Sequence, residues 1–290
     1  MNILVATKLN GSCKGAVTAG IALAKRAGAK LSVVSVVDPG RSIDRTGVEE
    51  GQAPDWVTEH QNGLQDSVEQ ELERAGVKSD FVGVLVGNPS TLVTSYVEES
   101  HSDLVVLGTH RSSDFERIIA GSTGEKIIRH SKVPVLVATQ RDGEPFRRVI
   151  VAVDLSSRFY PLLDWASSFA WANGSEVCVV HSEGALKRLW MTLTFRGNRT
   201  FLRGPWRRFF SRFWETKLPG QPFVILRRGH AGRVLLREAR KWDADLIIMG
   251  VRRFGFPVAN RLGRTAKYVL RHGGRSVLAV PSRGEGGQAS

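Results

Sequence analysis

The sequence predicts an α/β protein built from two doubly wound, Rossmann-like parallel-sheet domains in one chain. Three observations carry this prediction. Landmarks recur at a constant offset of 142 positions, as Gly87/Gly229, Asp103/Asp245, Gly108/Gly250, Arg111/Arg253, Gly121/Gly263, Arg129/Arg271 and His130/His272. Such a fixed period marks a tandem duplication. The apolar runs that read as strands are continuous rather than alternating, which is the pattern of strands buried on both faces of a parallel sheet. Between these runs lie stretches with apolar residues at helical spacing, so each copy reads βαβαβαβαβ.

In order along the first copy, residues 3–7 form a short apolar β-type run. Residues 16–26 place Val17, Ile21 and Ala24 at helical spacing before Gly28, a helix stop. Residues 30–37 are the next strand, and the polar, Gly-containing stretch 40–54 reads as loop. Residues 55–75 put Trp56, Leu64, Val68 and Leu72 on one helix face. A strand over 81–86, a helix over 91–99, a strand over 104–107, a helix over about 122–130 and a strand over 133–137 complete the copy. The second copy opens with a strand over 149–154, continues with a helix around 161–171 and a strand over 177–181, and then diverges. It regains register at 223–226 and closes with a strand over 277–280.

The domains are therefore residues 1–140 and 146–283, joined by the linker 141–145 and followed by a Gly-rich tail, 284–290, that is expected to be disordered. So short a linker holds the domains against each other rather than letting them swing. With 290 residues, each copy has room for a core of its own. No run of about 18 apolar residues is present to span a membrane. The first strand begins at about Asn2, which leaves no space for a signal peptide, so a cytoplasmic protein is expected. Cys13 and Cys178 lie in different halves without CxxC spacing, which fits a reducing compartment and gives neither a zinc site nor a redox pair.

Charge divides the halves. Residues 1–142 carry 15 Lys/Arg against 18 Asp/Glu, and residues 143–290 carry 26 against 10, a net −3 and +16. An excess of that size favours an anionic partner without choosing among nucleotide, acidic protein, membrane surface and nucleic acid, the last being the least favoured. Within the second half, residues 184–214 hold eight Lys/Arg, eight aromatics and no acid. There Trp206, Phe209, Phe210, Phe213 and Trp214 follow Gly204-Pro205 at the spacing of an amphipathic helix. Shifted by 142 they become Leu64, Ser67, Val68, Glu71 and Leu72, so Phe209 and Phe213 widen the apolar stripe. They are read either as cover for an extra intramolecular surface or as part of an aromatic and basic patch for a partner.

Chemistry concentrates in the loop after residue 107, where Gly108-Thr-His-Arg111 is followed after nine residues by Gly121-Ser122-Thr123. In an open parallel sheet this loop leaves the carboxyl edge, where ligands bind, and the free N–H groups of the helix it feeds can take an anion. The G-x-x-G-(nine)-G-[ST] pattern, closing on the strand Val133-Pro-Val-Leu-Val137, resembles the universal stress protein family over nearly all of both halves. The resemblance implies an intrachain pseudo-dimer of two such domains, a stress-response binding or regulatory role, and in ATP-binding members a site for ATP. Carried onto this chain, the site residues are Thr7, Val36, Gly108, His110, Gly121, Ser122 and Thr123, with Arg111 where the pattern has its second glycine. The second half gives Asp154, Gly250, Arg253, Gly263 and Arg264. Each half departs from the pattern: Lys8 replaces the acidic residue after the first strand, whereas Asp154 keeps it, and Arg253 and Arg264 break the loop in the second half. Arginines bind phosphate well, so these substitutions either fill the site or grip a different anion. The first half is the expected nucleotide site.

No G-x-S-x-G elbow, P-loop, HExxH or Cys/His cluster is present, so a binding protein is expected rather than an enzyme. Beside a regulatory module with adenine nucleotide in the first half, two readings remain open: a weak ATPase, and an adaptor for anions or a membrane surface working through the basic second half. Homo-oligomers are an open expectation for either.

Overall fold

The structure is a computed structural model and describes residues 1–7, 14–38, 55–108, 110–111, 118–119, 122–139, 146–154, 160–183, 223–251 and 262–281. The expected loop at 40–54, the linker 141–145, the segment 184–214 and the tail 284–290 lie outside these residues.

The first copy contains β1 (Asn2–Thr7), α1 (Lys14–Ala27), β2 (Lys30–Val37), α2 (Asp55–Ala75), β3 (Ser79–Val86), α3 (Pro89–Glu99) and β4 (Leu104–Gly108). It continues with two short strands, β5 (His110–Arg111) and β6 (Ile118–Ile119), then α4 (Ser122–His130) and β7 (Val135–Ala138). The second contains β8 (Arg148–Val153), α5 (Tyr160–Asn173), β9 (Glu176–Glu183), β10 (Phe223–Arg228), α6 (Ala231–Lys241), β11 (Leu246–Val251), α7 (Arg264–His272) and β12 (Ser276–Pro281).

Ten strands form one sheet in the order β10-β9-β8-β11-β12-β7-β4-β1-β2-β3. Pairing is parallel within each half, and the two halves have the same strand order read outward from the middle. They join where β12 meets β7 antiparallel, with Val277 opposite Val137, Leu278 opposite Leu136 and Ala279 opposite Val135. One reversal between two like-ordered parallel sheets relates the copies by a pseudo-two-fold axis through the seam, the closed arrangement of a symmetric dimer.

The repeat is less uniform than a single offset. Helices α3/α6 and α4/α7 are displaced by 142, but β1/β8, α1/α5 and β2/β9 are displaced by 146. Between equivalent strand positions the chain from β9 to β10 is thus four residues shorter than from β2 to β3, two of the four being the earlier start of β3. Backbone geometry follows both offsets. Gly28 and Gly174 take φ of 57° and 62° after α1 and α5, and Gly87 and Gly229 take 144° and 135° before α3 and α6. These are left-handed values that an L side chain resists. One consequence is a correction. The pairing of Trp206, Phe209, Phe210, Phe213 and Trp214 with residues 64–72 falls in the stretch where the offset changes, so the flanking elements do not fix it.

Asp103 and Asp245 repeat for a structural reason. The Asp103 carboxylate accepts a hydrogen bond from the Asn2 N–H at 2.8 Å, and that of Asp245 accepts from the Arg147 and Arg148 N–H groups, both at 2.9 Å. Each fastens the start of a central strand, at the opposite end of the sheet from the loop after β4.

Two apolar layers flank the sheet, and each runs through the seam. One joins α1, α2 and α5, with Leu64, Val68, Leu72, Leu136, Leu163 and Leu278 buried together. The other joins α3, α4, α6 and α7, with Val93, Ile127, Val137, Leu235, Val269 and Val277. The expected core face Val17, Ile21 and Ala24 of α1 is buried as well. Across the second layer Glu125 of α4 accepts two hydrogen bonds from Arg271 of α7, at 3.0 and 2.9 Å, and lies 3.9 Å from Lys267. Across the first, Arg26 donates to the Asn173 carbonyl at 3.2 Å.

Candidate functional site

Strand order reverses between β1 and β4, because the chain goes from β1 outward to β2 and β3 and returns on the other side of β1. Crevices for ligands open at such switch points, beyond the carboxyl ends of the strands. Register brings three of the predicted residues to that edge. Ala6 is level with Leu107, so Thr7 and Gly108 end adjacent strands side by side. Thr7 is level with Ser35 in the last β1–β2 pair, which leaves Val36 as the first residue of β2 beyond the end of β1. Val36 remains paired with Leu85 of β3 on its other side. The Thr7 and Val36 side chains are buried.

The loop after β4 is not wholly irregular. His110 pairs with Ile119 and Arg111 with Ile118 in a short antiparallel ladder, and β6 packs against α7 of the other half. The backbone of the predicted phosphate loop is therefore tied across the seam, which the sequence reading of a plain loop did not foresee. Ser122 opens α4, as its place after Gly121 predicts, and Thr123 follows half-buried. Gly121 lies outside the described residues. The first turn of α4 contains Glu125, a charge that would repel an anion at a helix N-terminus. Arg271 and Lys267 hold that carboxylate from the other copy and offset it.

Sequence reasoning missed Ser35. It is 1% exposed, and its hydroxyl is buried without a hydrogen-bond partner at the level of Thr7. A buried hydroxyl left in this state is costly, and such a group merits a reason. The available signal was a polar residue inside an otherwise apolar strand.

The second half arranges the same edge differently. The equivalent of Ser35 is His181, buried, with Nδ1 2.8 Å from the Val153 carbonyl. A carbonyl only accepts, so Nδ1 carries the proton and the ring closes over the end of β8. Asp154 follows β8 and is exposed. Gly250 lies within β11, which runs one residue further to Val251, opposite Pro281. Gly263 is the N-cap of α7, without a side-chain cap bond, and Arg264 is the exposed first helical residue. Arg253 lies outside the described residues, as do Lys8 and Cys13. The residues of the second set are thus spread along a strand, a turn and a helix start, and His181 stands where the first half has its open hydroxyl.

Two buried groups sit near the far edge of the second half. Burial, reinforced by the nearby Glu238 carboxylate, pushes the Cys178 thiol up to about 11, so it is an unreactive core residue. Burial also pushes Glu238 up. Hydrogen bonds from Arg227 at 3.2 Å and Arg237 at 3.1 Å outweigh it and hold the carboxyl below its usual range. Among the described residues no group of three or more His, Cys, Asp or Glu could hold a metal ion, and no helix is long and apolar enough to cross a membrane.

Paired, like-ordered sheets joined at one antiparallel seam define a fused dimer of doubly wound α/β domains. The chain belongs to the universal stress protein family, whose model matches residues 1–139 and 216–281. A Staphylococcus aureus strain USA300 protein bearing the family name is 28% identical over 160 residues, covering 54% of this chain and 96% of its own. Among solved structures, a universal stress protein from Archaeoglobus fulgidus matches with a TM-score of 0.73 at 21% identity, covering 97% of this chain and 98% of that one. A protein of unknown function from Pseudomonas aeruginosa PAO1 matches with a TM-score of 0.70 at 17% identity, covering 97% and 92%. At these identities the structural likeness speaks for the fold.

Proposed function

We propose that the protein is a regulatory binding module that takes ATP or a related adenine nucleotide in its first half and keeps its second half chiefly as scaffold. The supporting observation is the convergence of Thr7, Val36 and Gly108 at the first switch point, beside the N-terminus of α4. In this reading Val36 offers main-chain groups to the adenine beyond the end of β1. Thr7 and Ser35 lie near the nucleoside. Phosphates meet backbone N–H groups at the start of α4, where Gly121, Ser122 and Thr123 are the residues named by the resemblance, with His110 and Arg111 in the adjoining ladder. The second half, with His181 across the equivalent edge, contributes no nucleotide site.

The test is calorimetric titration of the full chain with ATP, alongside Ser122→Arg, which imports the second copy's residue at that helix position. Affinity is expected to fall at least ten-fold in Ser122→Arg and to be unchanged in Arg264→Ser. Binding that follows Asp154 and Arg264 instead, or no binding by the parent chain, would refute the assignment. Steady release of phosphate from ATP would favour the weak ATPase.

A further inference from the structure

The duplication supplies its own control for the basic charge of the second half. Helices α3 and α6 are equivalent along their whole length, and their buried positions stay apolar where the sheet requires it, as Val93/Leu235 and Val97/Ala239. Their solvent positions do not match. Thr91, Ser95, Glu98 and Glu99 of α3 are exposed, and the equivalent exposed residues of α6 are Arg233, Arg237, Arg240 and Lys241. At four positions that the fold leaves free, a formal charge of −2 has become +4. These four lie at i, i+4, i+7 and i+8, one stripe about 12 Å long. The single acid of α6, Glu238, is turned inward and held by Arg227 and Arg237, so no carboxylate interrupts the stripe.

A second helix lies beside the stripe. Helix α7 packs beside α6 on the same apolar layer, and it does so closely because Gly232 has no side chain: a Cβ there would stand 2.5 Å from the Tyr268 ring. Arg264 extends the basic surface onto α7. Phe223 of the edge strand β10 is 67% exposed and shares the strand face of Ile225 and Arg227, which is the face α6 covers. As the crossover between the parallel strands β10 and β11, α6 runs antiparallel to both. This brings Arg240 and Lys241 back to the level of Phe223.

We propose that the α6 stripe, with Arg264 and Phe223 at its margins, is a docking face for an anionic lipid bilayer, binding headgroup phosphates through the guanidinium groups while the phenylalanine enters the interface. Guanidinium groups pair with phosphate in a bidentate way, basic clusters are drawn to anionic leaflets, and aromatic side chains favour the interfacial zone. A nucleic acid fits this face less well. Among the described residues, two helices side by side present no projecting element to a groove, and the described ring lies at one margin rather than between the charges. This face is separate from the proposed nucleotide site, which lies on the other side of the seam.

The experiment is co-sedimentation of the full chain with vesicles of phosphatidylcholine alone and of phosphatidylcholine mixed with phosphatidylglycerol. Binding is expected only to the mixed vesicles and is expected to weaken with salt. Arg233→Thr/Arg240→Glu/Lys241→Glu restores first-copy residues and leaves both partners of Glu238 in place. It is expected to lose on the order of 100-fold in partitioning with an unchanged melting temperature. Lys25→Glu/Arg74→Glu/Lys78→Glu, in the first half, is expected to bind like the parent. Phe223→Ser is expected to weaken binding by a few-fold at any salt concentration. The proposal is overturned if the parent ignores mixed vesicles, if it takes duplex nucleic acid instead, if both triple variants lose equally, or if the α6 variant binds normally. In the last case the basic segment 184–214 would be the carrier.

Discussion

Replacing Leu278 with alanine tests whether the seam makes the two copies one thermodynamic unit. Leu278 is 0% exposed and stands opposite Leu136, also 0% exposed, in the antiparallel pair that joins the halves. Both belong to an apolar layer with members from each copy, so a cavity there is lined from both sides. Leu→Ala at a fully buried site costs about 3–4 kcal/mol, transfer and cavity together. Against a total stability of about 5–15 kcal/mol, that loss is easily measured. With a urea slope of about 3 kcal/mol per molar, the midpoint should fall by about 1 M. Reporters for the halves are unequal, since only Trp56 of the 7 tryptophans lies in the first copy. Tryptophan fluorescence would therefore follow the second half, and amide hydrogen exchange of β1 and β4 the first. Both should show one transition, shifted together by Leu278→Ala. Leu136→Ala/Leu278→Ala should lose less than the two single losses combined, because the side chains share one space. Two separate transitions, with the first-half probe unmoved by Leu278→Ala, would refute the reasoning.

Acid should act through Glu238. Its folded-state pKa is depressed, so its contribution to stability is present above its ordinary value of 4.5 and is lost as pH falls below that through the folded value. Urea midpoints followed from neutral pH to about pH 3 should therefore drop less steeply in Glu238→Gln than in the parent, although the variant starts lower. Glu125→Lys should lower the melting temperature at low salt and recover part of the loss when combined with Arg271→Glu, as a differential scan would show. A Cβ on Gly20 would run into Val5 Cγ2, so Gly20→Ala should cost about 1–3 kcal/mol in urea unfolding. The equivalent position of the second copy is Ala166, 0% exposed inside α5, and Ala166→Gly should lose a buried methyl group and about 1 kcal/mol more from the added backbone freedom. Cys178 should remain unlabelled by a thiol reagent until the protein is unfolded, as mass spectrometry of the labelled peptides would report.

The parts legible in the sequence were those fixed by local physics. Continuous apolar runs marked the strands, and the spacing of Leu64, Val68 and Leu72 marked the buried face of α2. Helix α4, expected over about 122–130, spans Ser122–His130 and follows a glycine. The four-residue change of offset was hidden because the glycines Gly11, Gly15 and Gly20 at the front of the first copy have no glycine counterparts in the second, and apolar runs slide past one another without penalty in a sequence. Gly28 and Gly174, both forced to positive φ, were the available markers of the second offset. At the candidate site, Thr7, Val36 and Gly108 could be named only through the family resemblance, whose pattern is carried onto the ends of the apolar runs. Ser35 could not, since its distinction is a hydroxyl left without a partner in the folded sheet. The contact of Glu125 with Arg271 joins residues 146 positions apart across a symmetry axis, and no local pattern announces it.

The charges facing each other across α4 and α7 have a consequence for descent. A dimer of identical chains must place the same residue at both ends of its axis, so any change at the interface is made twice and is constrained twice. Fusion releases that constraint. Where one copy has Glu125 the other has Lys267, and an exchange that would set lysine against arginine in a symmetric pair here leaves a carboxylate held by both. Once the two ends need not agree, one copy can keep an ancestral surface while the other drifts to a new occupation, with the shared sheet carrying both. A gene duplication of this kind works less as a doubling of binding sites than as a licence for the two faces of a former homodimer to become different things.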